Sequence, residues 1–220
     1  MKRVISILGA CLALGGTVAC GSGTSTSGGG GAGNTLPSGT LGGVGFTPVD
    51  GVALLLPVRT CTFSGASVSA TAMLLAFTNV PSTCSAFQVV GACNDKASAI
   101  LVSVAIEKGN ASGGTASAIG PGTYGLTIGP PTPDASGNFT RTNLNYSKTN
   151  ATCVDAASSV TPTSGSVTIT SLTSSQVTGS VTAAFSDGST FSGNFDVPIC
   201  GVSFNVCDVG SCSGTGTCVP

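Results

Sequence analysis

The run Val177-Thr178-Gly179-Ser180-Val181-Thr182-Ala183-Ala184-Phe185 is followed, across Ser186-Asp187-Gly188-Ser189-Thr190, by Phe191-Ser192-Gly193-Asn194-Phe195-Asp196-Val197. In both runs an apolar residue or a glycine alternates with a mostly polar one. A period of two is the mark of a strand with one buried face. Upstream, Val167 and Ile169 alternate in the same way with Ser166, Thr168 and Thr170. Three such strands joined by short connections predict an antiparallel meander. Its register follows from the rule that opposed residues share a face. A two-residue loop at Asp187-Gly188 would set Phe185 against Thr190 and mix the faces. A three-residue loop closing on Ser186 and Thr190, with Gly188 at positive φ, places Phe185 opposite Phe191, Ala183 opposite Gly193 and Val181 opposite Phe195. An inward glycine in each strand predicts a bend, or room for a neighbouring aromatic ring.

Earlier strands are shorter signals. Val52 to Val58 is an apolar run ending near Pro57. Ser67 to Phe77 has apolar residues on both alternating sets, which fits a bulged strand or a helical turn. Ile100, Val102, Val104 and Ile106 alternate with Leu101, Ser103, Ala105 and Glu107, a strand expected to become half-exposed toward its end. Tyr124, Leu126 and Ile128 form a strand bounded by Pro121-Gly122 and Pro130-Pro131, and Leu144 and Tyr146 mark another. About eight strands and regular turn signals predict an all-β fold, an antiparallel sandwich or a lipocalin-like barrel, over residues 46–200. A cysteine-rich tail, 201–220, is expected to pack on it.

The N-terminus has a different character. Lys2 and Arg3 precede an uncharged, mostly apolar run from Val4 to Val18, too short for the ~20 residues of a membrane span, and this is a signal-peptide pattern over residues 1–19. Thr17-Val18-Ala19-Cys20 resembles the bacterial lipobox, which implies cleavage before Cys20 and lipidation of its thiol. Leu8-Gly9-Ala10-Cys11 is the competing string, but it leaves only Val4 to Ile7 as the hydrophobic region. Residues 20–45 then comprise the lipidated cysteine and a Gly/Ser-rich tether, containing Gly28-Gly29-Gly30-Gly31, expected to be disordered.

Composition excludes several functions. The chain has seven basic and eight acidic residues; removal of Lys2 and Arg3 leaves five against eight, a formal charge of −3. Five scattered cations cannot build a phosphate-binding stripe, so no nucleic-acid partner is expected. There is no histidine, which removes the usual general base, metal ligand and pH switch together. No nucleophile elbow, phosphate loop, Cys-x-x-Cys or calcium-loop pattern occurs, so neither a cofactor nor a metal is expected. The acids Asp50, Asp95, Glu107, Asp134, Asp155, Asp187, Asp196 and Asp208 are isolated in sequence, and most read as turn or strand-surface residues. Two of them could still meet in space as a glycosidase pair. Asp196, projecting from a strand, is the one singled out.

Once Cys11 is removed and Cys20 lipidated, eight cysteines remain. An even number in an exported chain predicts disulfides. From spacing, Cys153 with Cys200 would clamp the meander and Cys84 with Cys93 would close a local loop. Two of Cys207, Cys212 and Cys218 would pair, and the third would reach Cys61. A thiolate metal site is disfavoured because the tail lacks a tight Cys-x2-Cys knuckle.

The lipobox at Thr17 to Cys20, together with the closing strand Phe191-Ser192-Gly193-Asn194-Phe195-Asp196-Val197-Pro198-Ile199-Cys200, resembles outer-membrane lipoproteins of Gram-negative bacteria. The resemblance is particularly to the cysteine-containing, β-rich ones of myxobacteria. The resemblance implies a lipid anchor, outer-membrane sorting consistent with Gly21, and an orientation toward periplasm or cell surface; it implies no activity. The expected function is a non-enzymatic envelope interaction module with a protein or glycan partner. A lipocalin-like carrier of a small apolar ligand is the alternative, and a closed barrel with an apolar cavity would favour it.

Overall fold

The computed structural model describes residues 35–63, 66–84, 98–152 and 161–201. The described residues form ten strands: β1 (Ser38–Leu41), β2 (Val44–Phe46), β3 (Asp50–Phe63), β4 (Ala66–Thr78), β5 (Ile100–Asn110), β6 (Gly122–Gly125), β7 (Asn138–Lys148), β8 (Pro162–Leu172), β9 (Gln176–Phe185) and β10 (Thr190–Cys200). They pair in the order β6-β8-β9-β10-β3-β4-β5-β7, and the β1–β2 hairpin joins the edge of β10. All ladders are antiparallel except one. At its far end β10 runs parallel to β3, with Ile199 opposite Ala53 and Cys200 opposite Leu54. The sheet is therefore mixed. It folds over on itself, so that β8, β9 and β10 face β4, β5 and β7 across one core, but it does not close into a barrel. At the open side no ladder joins β7 to β6 or β8 among the described residues, and the chain after β6 bridges the gap. Leu126 N–H donates to Gly165 O and Thr127 N–H to Thr142 O, both at 2.9 Å.

The predicted meander is β8-β9-β10, and its apolar sets share the core face. Val167, Ile169, Val177, Val181, Phe185, Phe191, Phe195 and Val197 are all buried there. The register differs from the expectation by two residues: Phe191 lies opposite Ala183, Gly193 opposite Val181 and Phe195 opposite Gly179. The loop does have three residues, but it closes on Phe185 and Ser189. Phe185 N–H donates to Ser189 O at 2.9 Å and Gly188 N–H to Phe185 O at 3.1 Å. Gly188, at φ +81°, thus occupies the last loop position, the left-handed step that follows a tight turn, instead of the middle one. A shift of two keeps every side chain on its face, which explains why the core came out as expected.

Gly179 is the glycine that the packing requires. A Cβ there would lie 2.0 Å from Thr168 O and 2.8 Å from Phe195 Cζ, so the ring of Phe195 occupies the place of the missing side chain. Around it, Phe77 packs against Phe191 and Phe195 with ring centroids 5.5 and 5.8 Å apart, and Phe46 lies 5.8 Å from Phe191. Tilted pairs at these separations are favourable beyond their buried area. Four aromatic rings thus form one packed group within a core that is otherwise mostly aliphatic.

The stretch 67–77 is strand, not helix, and its two-sided apolarity has a cause. Met73, Leu75 and Phe77 enter the main core, while Ala76 on the opposite face joins Val52, Leu54 and Cys200 in a second buried cluster. A strand buried on both faces loses its alternation. In β3 the register slips between Leu56 and Arg59, around Pro57, which has no N–H to offer a ladder. The Thr71 hydroxyl donates to Leu56 O at 2.7 Å there.

Two expectations are corrected at the margins. The ordered domain starts before Phe46: β1 and β2 lie within the stretch read as tether. Leu36 and Leu41, its large apolar side chains, pack into the core, and the backbone of β1 pairs with β10. Gly39 allows that approach, since a Cβ would stand 1.9 Å from Thr190 O. The strand expected from Tyr124 to Ile128 stops at Gly125, and Ile128 is 75% exposed.

Candidate functional site

The parallel β10–β3 seam sets the geometry of the one disulfide whose two cysteines are both described. Cys200, the last residue of β10, turns to the face of β3 that carries Val52 and Leu54. Cys84, six residues beyond the end of β4, comes back to the same face. The two are bonded with Cα atoms 5.5 Å apart. This overturns both expected pairings that involve them, Cys153 with Cys200 and Cys84 with Cys93. The first assumed that the meander closes on its own beginning, the second that Cys84 closes a local loop. The meander's last strand instead finishes on the other half of the domain. Cys61 is also disulfide-bonded, to a cysteine outside the described residues. Cys20, Cys93, Cys153, Cys207, Cys212 and Cys218 lie outside them too, as do Asp95, Asp155 and Asp208.

The described acids fall into two groups. Asp50, Asp134, Asp187 and Asp196 are all hydrogen-bonded. Asp50 accepts from Gly51 N–H at 2.8 Å and from Thr83 N–H at 2.7 Å, pinning the segment that leads to Cys84. Asp134 accepts from the backbone N–H of Ser136 and Asn138, and these bonds hold its carboxyl below the usual range. Asp187 accepts from the N–H and hydroxyl of Ser189, with the same effect. Asp196, the strand acid singled out by position, accepts from the amide of Gln176 across the ladder. For Asp134 and Asp187, donors that belong to the turn favour the charged form and make the carboxyl a poor proton carrier.

Glu107 is the other kind. It lies on β5 on the face opposite the core residues Val104 and Ile106, and is expected there to be half-exposed. It is in fact 1% exposed, with neither carboxyl oxygen hydrogen-bonded. Burial pushes its carboxyl up to about 7, against the opposing pull of Arg141. Arg141 is its direct cross-strand neighbour on β7, and Ala72 faces it from β4. Beside it, the Phe139 ring covers Gly109, where a Cβ would sit 2.2 Å from the ring. The sequence held one signal for this burial. Leu101 and Ala105, which share the face, are themselves apolar, as a covered second face requires.

Among the described residues no three of His, Cys, Asp and Glu cluster as metal ligands. No helix among them is long and apolar enough to cross a membrane. No family model, curated protein or solved structure matches the chain.

Proposed function

We propose that the protein is a lipid-anchored cell-envelope protein, attached to the outer membrane through Cys20 and acting as a non-enzymatic interaction module. The observation that carries the reading is Thr17-Val18-Ala19-Cys20 at the end of an apolar run. The position of the first strand sharpens it. β1 begins at Ser38, so 17 residues separate Cys20 from the sheet, a reach of at most about 60 Å when extended. The domain would be held close to the bilayer and would meet partners there. A protein or a glycan partner suits a surface with so few charges; a nucleic acid does not.

What supports this reading over an apolar carrier is the interior. Phe46, Phe77, Phe191 and Phe195 pack against one another in the core between the sheet halves, and the sheet does not close into the barrel that such a carrier would have. The test is fractionation. Cys20→Ala is expected to move the protein from the membrane fraction to the soluble fraction of the envelope and to abolish incorporation of labelled fatty acid. Retention of the variant in the membrane, unlipidated, would show that something other than Cys20 anchors it.

A further inference from the structure

Glu107 is the only glutamate of the chain, and its two carboxyl oxygens are buried without a hydrogen bond. Its direct neighbour across the β5–β7 pair is a cation, Arg141, yet no ion pair joins them. Arg141 Nε instead donates to Asn143 Oδ1 at 3.1 Å. Asn143 lies two residues along β7, on the same face. An ionised carboxylate left in that state would cost several kcal/mol, so the group must be neutral or find a partner. The cation that can serve as that partner is Arg141, directly opposite on β7.

The geometry points to a proton-operated exchange of partners on the outer face of β5 and β7: with Glu107 protonated the Arg141 guanidinium stays on Asn143, and with Glu107 ionised it moves across to the carboxylate. Among the described residues the other groups facing this position are few. β4 presents Ala70, Ala72 and Leu74, none of which carries charge. β3 presents Arg59, exposed, on the same face opposite Ala70 and two strands away. β5 itself adds Ala105 and Gly109. Arg141 is thus the charged side chain next to Glu107. Asn143 is a neutral acceptor, so the guanidinium leaves no unpaired charge behind when it moves.

The sign of the coupling to stability is fixed by which state holds the proton. The unfolded chain loses the glutamate proton near 4.5, while the folded protein keeps it up to about 7. Between those values the folded state binds the extra proton, so the contribution of Glu107 to stability is complete below about pH 4.5, falls as the pH rises through the window, and levels off above about 7. The unfolding constant is expected to rise by up to tenfold per pH unit within the window, on the order of a hundredfold in all. Recruitment of Arg141 limits the loss at the alkaline end.

A single glutamate makes the test direct. In the full mature chain labelled with 13C-glutamate and 15N-arginine, the carboxyl carbon is expected to titrate with a midpoint near 7, and the Arg141 Nε resonance to shift with the same midpoint. Arg59→Lys assigns the Arg141 signal. In Glu107→Gln the Nε shift is expected to vanish and the unfolding constant to lose its rise between about pH 4.5 and 7. A carboxyl midpoint near 4.5, or an Arg141 resonance that stays still while Glu107 titrates, would overturn the exchange. The titration of the unmutated protein decides the matter even if the glutamine variant fails to fold.

Discussion

Phe195→Ala is expected to destabilise the domain by about 3–5 kcal/mol, the upper range for truncating a buried aromatic. Three features place it there. The side chain is 2% exposed, its ring stands over Gly179, and it packs 5.8 Å from Phe77. Removing the ring leaves a void bounded by a glycine that has no side chain to relax into it. The neighbouring strands cannot close the gap either, since Gly179 is already so near Thr168 O that a Cβ has no place. Both contributions, lost transfer energy and unrelieved cavity, therefore act in full. Urea unfolding followed by far-UV circular dichroism measures the change. A loss under about 1 kcal/mol would mean that the ring does not pin β9 to β10. Phe195→Leu should recover part of the stability, because it refills volume without the planar fit over the glycine.

This pair also shows what could be read from the residues and what could not. Alternation assigned the faces of β8, β9 and β10, because each has one buried side, and it anticipated an aromatic beside a glycine. It did not fix the register. Register turns on which residue of Ser186-Asp187-Gly188 takes the left-handed step, and all three-residue solutions preserve the faces. β4 was ambiguous for a physical reason, since burial on both sides removes the signal that separates strand from helix. Glu107 was read as surface from its charge, although charge costs energy in a covered face without preventing its use there. The N-terminal boundary was misplaced because Gly and Ser dominate residues 36–45. In that setting two leucines and a backbone ladder were enough to order a hairpin on β10. The lipid anchor, by contrast, rests on sequence throughout.

The least legible feature was the β10–β3 seam, and it governs the second large effect. Replacing Cys84 and Cys200 together by alanine is expected to cost about 2–4 kcal/mol. The two cysteines are separated by 116 positions, so the bond removes much of the freedom of the unfolded chain. The gain is smaller than a lone crosslink of that length would give, because Cys61 is bonded as well and the reduced-contact chain stays partly constrained. On the folded side, the seam consists of two register pairs, Ile199 with Ala53 and Cys200 with Leu54, whereas β9 and β10 share nine. The seam is where the meander meets β3, so it should open first once the bond is gone. Hydrogen exchange should then rise most at residues 52–54 and at position 200, with the β8-β9-β10 ladder still protected. Uniform loss of protection across all ten strands would instead show that the disulfide acts through the unfolded chain alone. An unchanged midpoint in urea would show that the seam holds without it. The same variant separates the two halves of the domain energetically: if the halves then unfold in two steps, the bond, and not the shared phenylalanine core, is what makes them one cooperative unit.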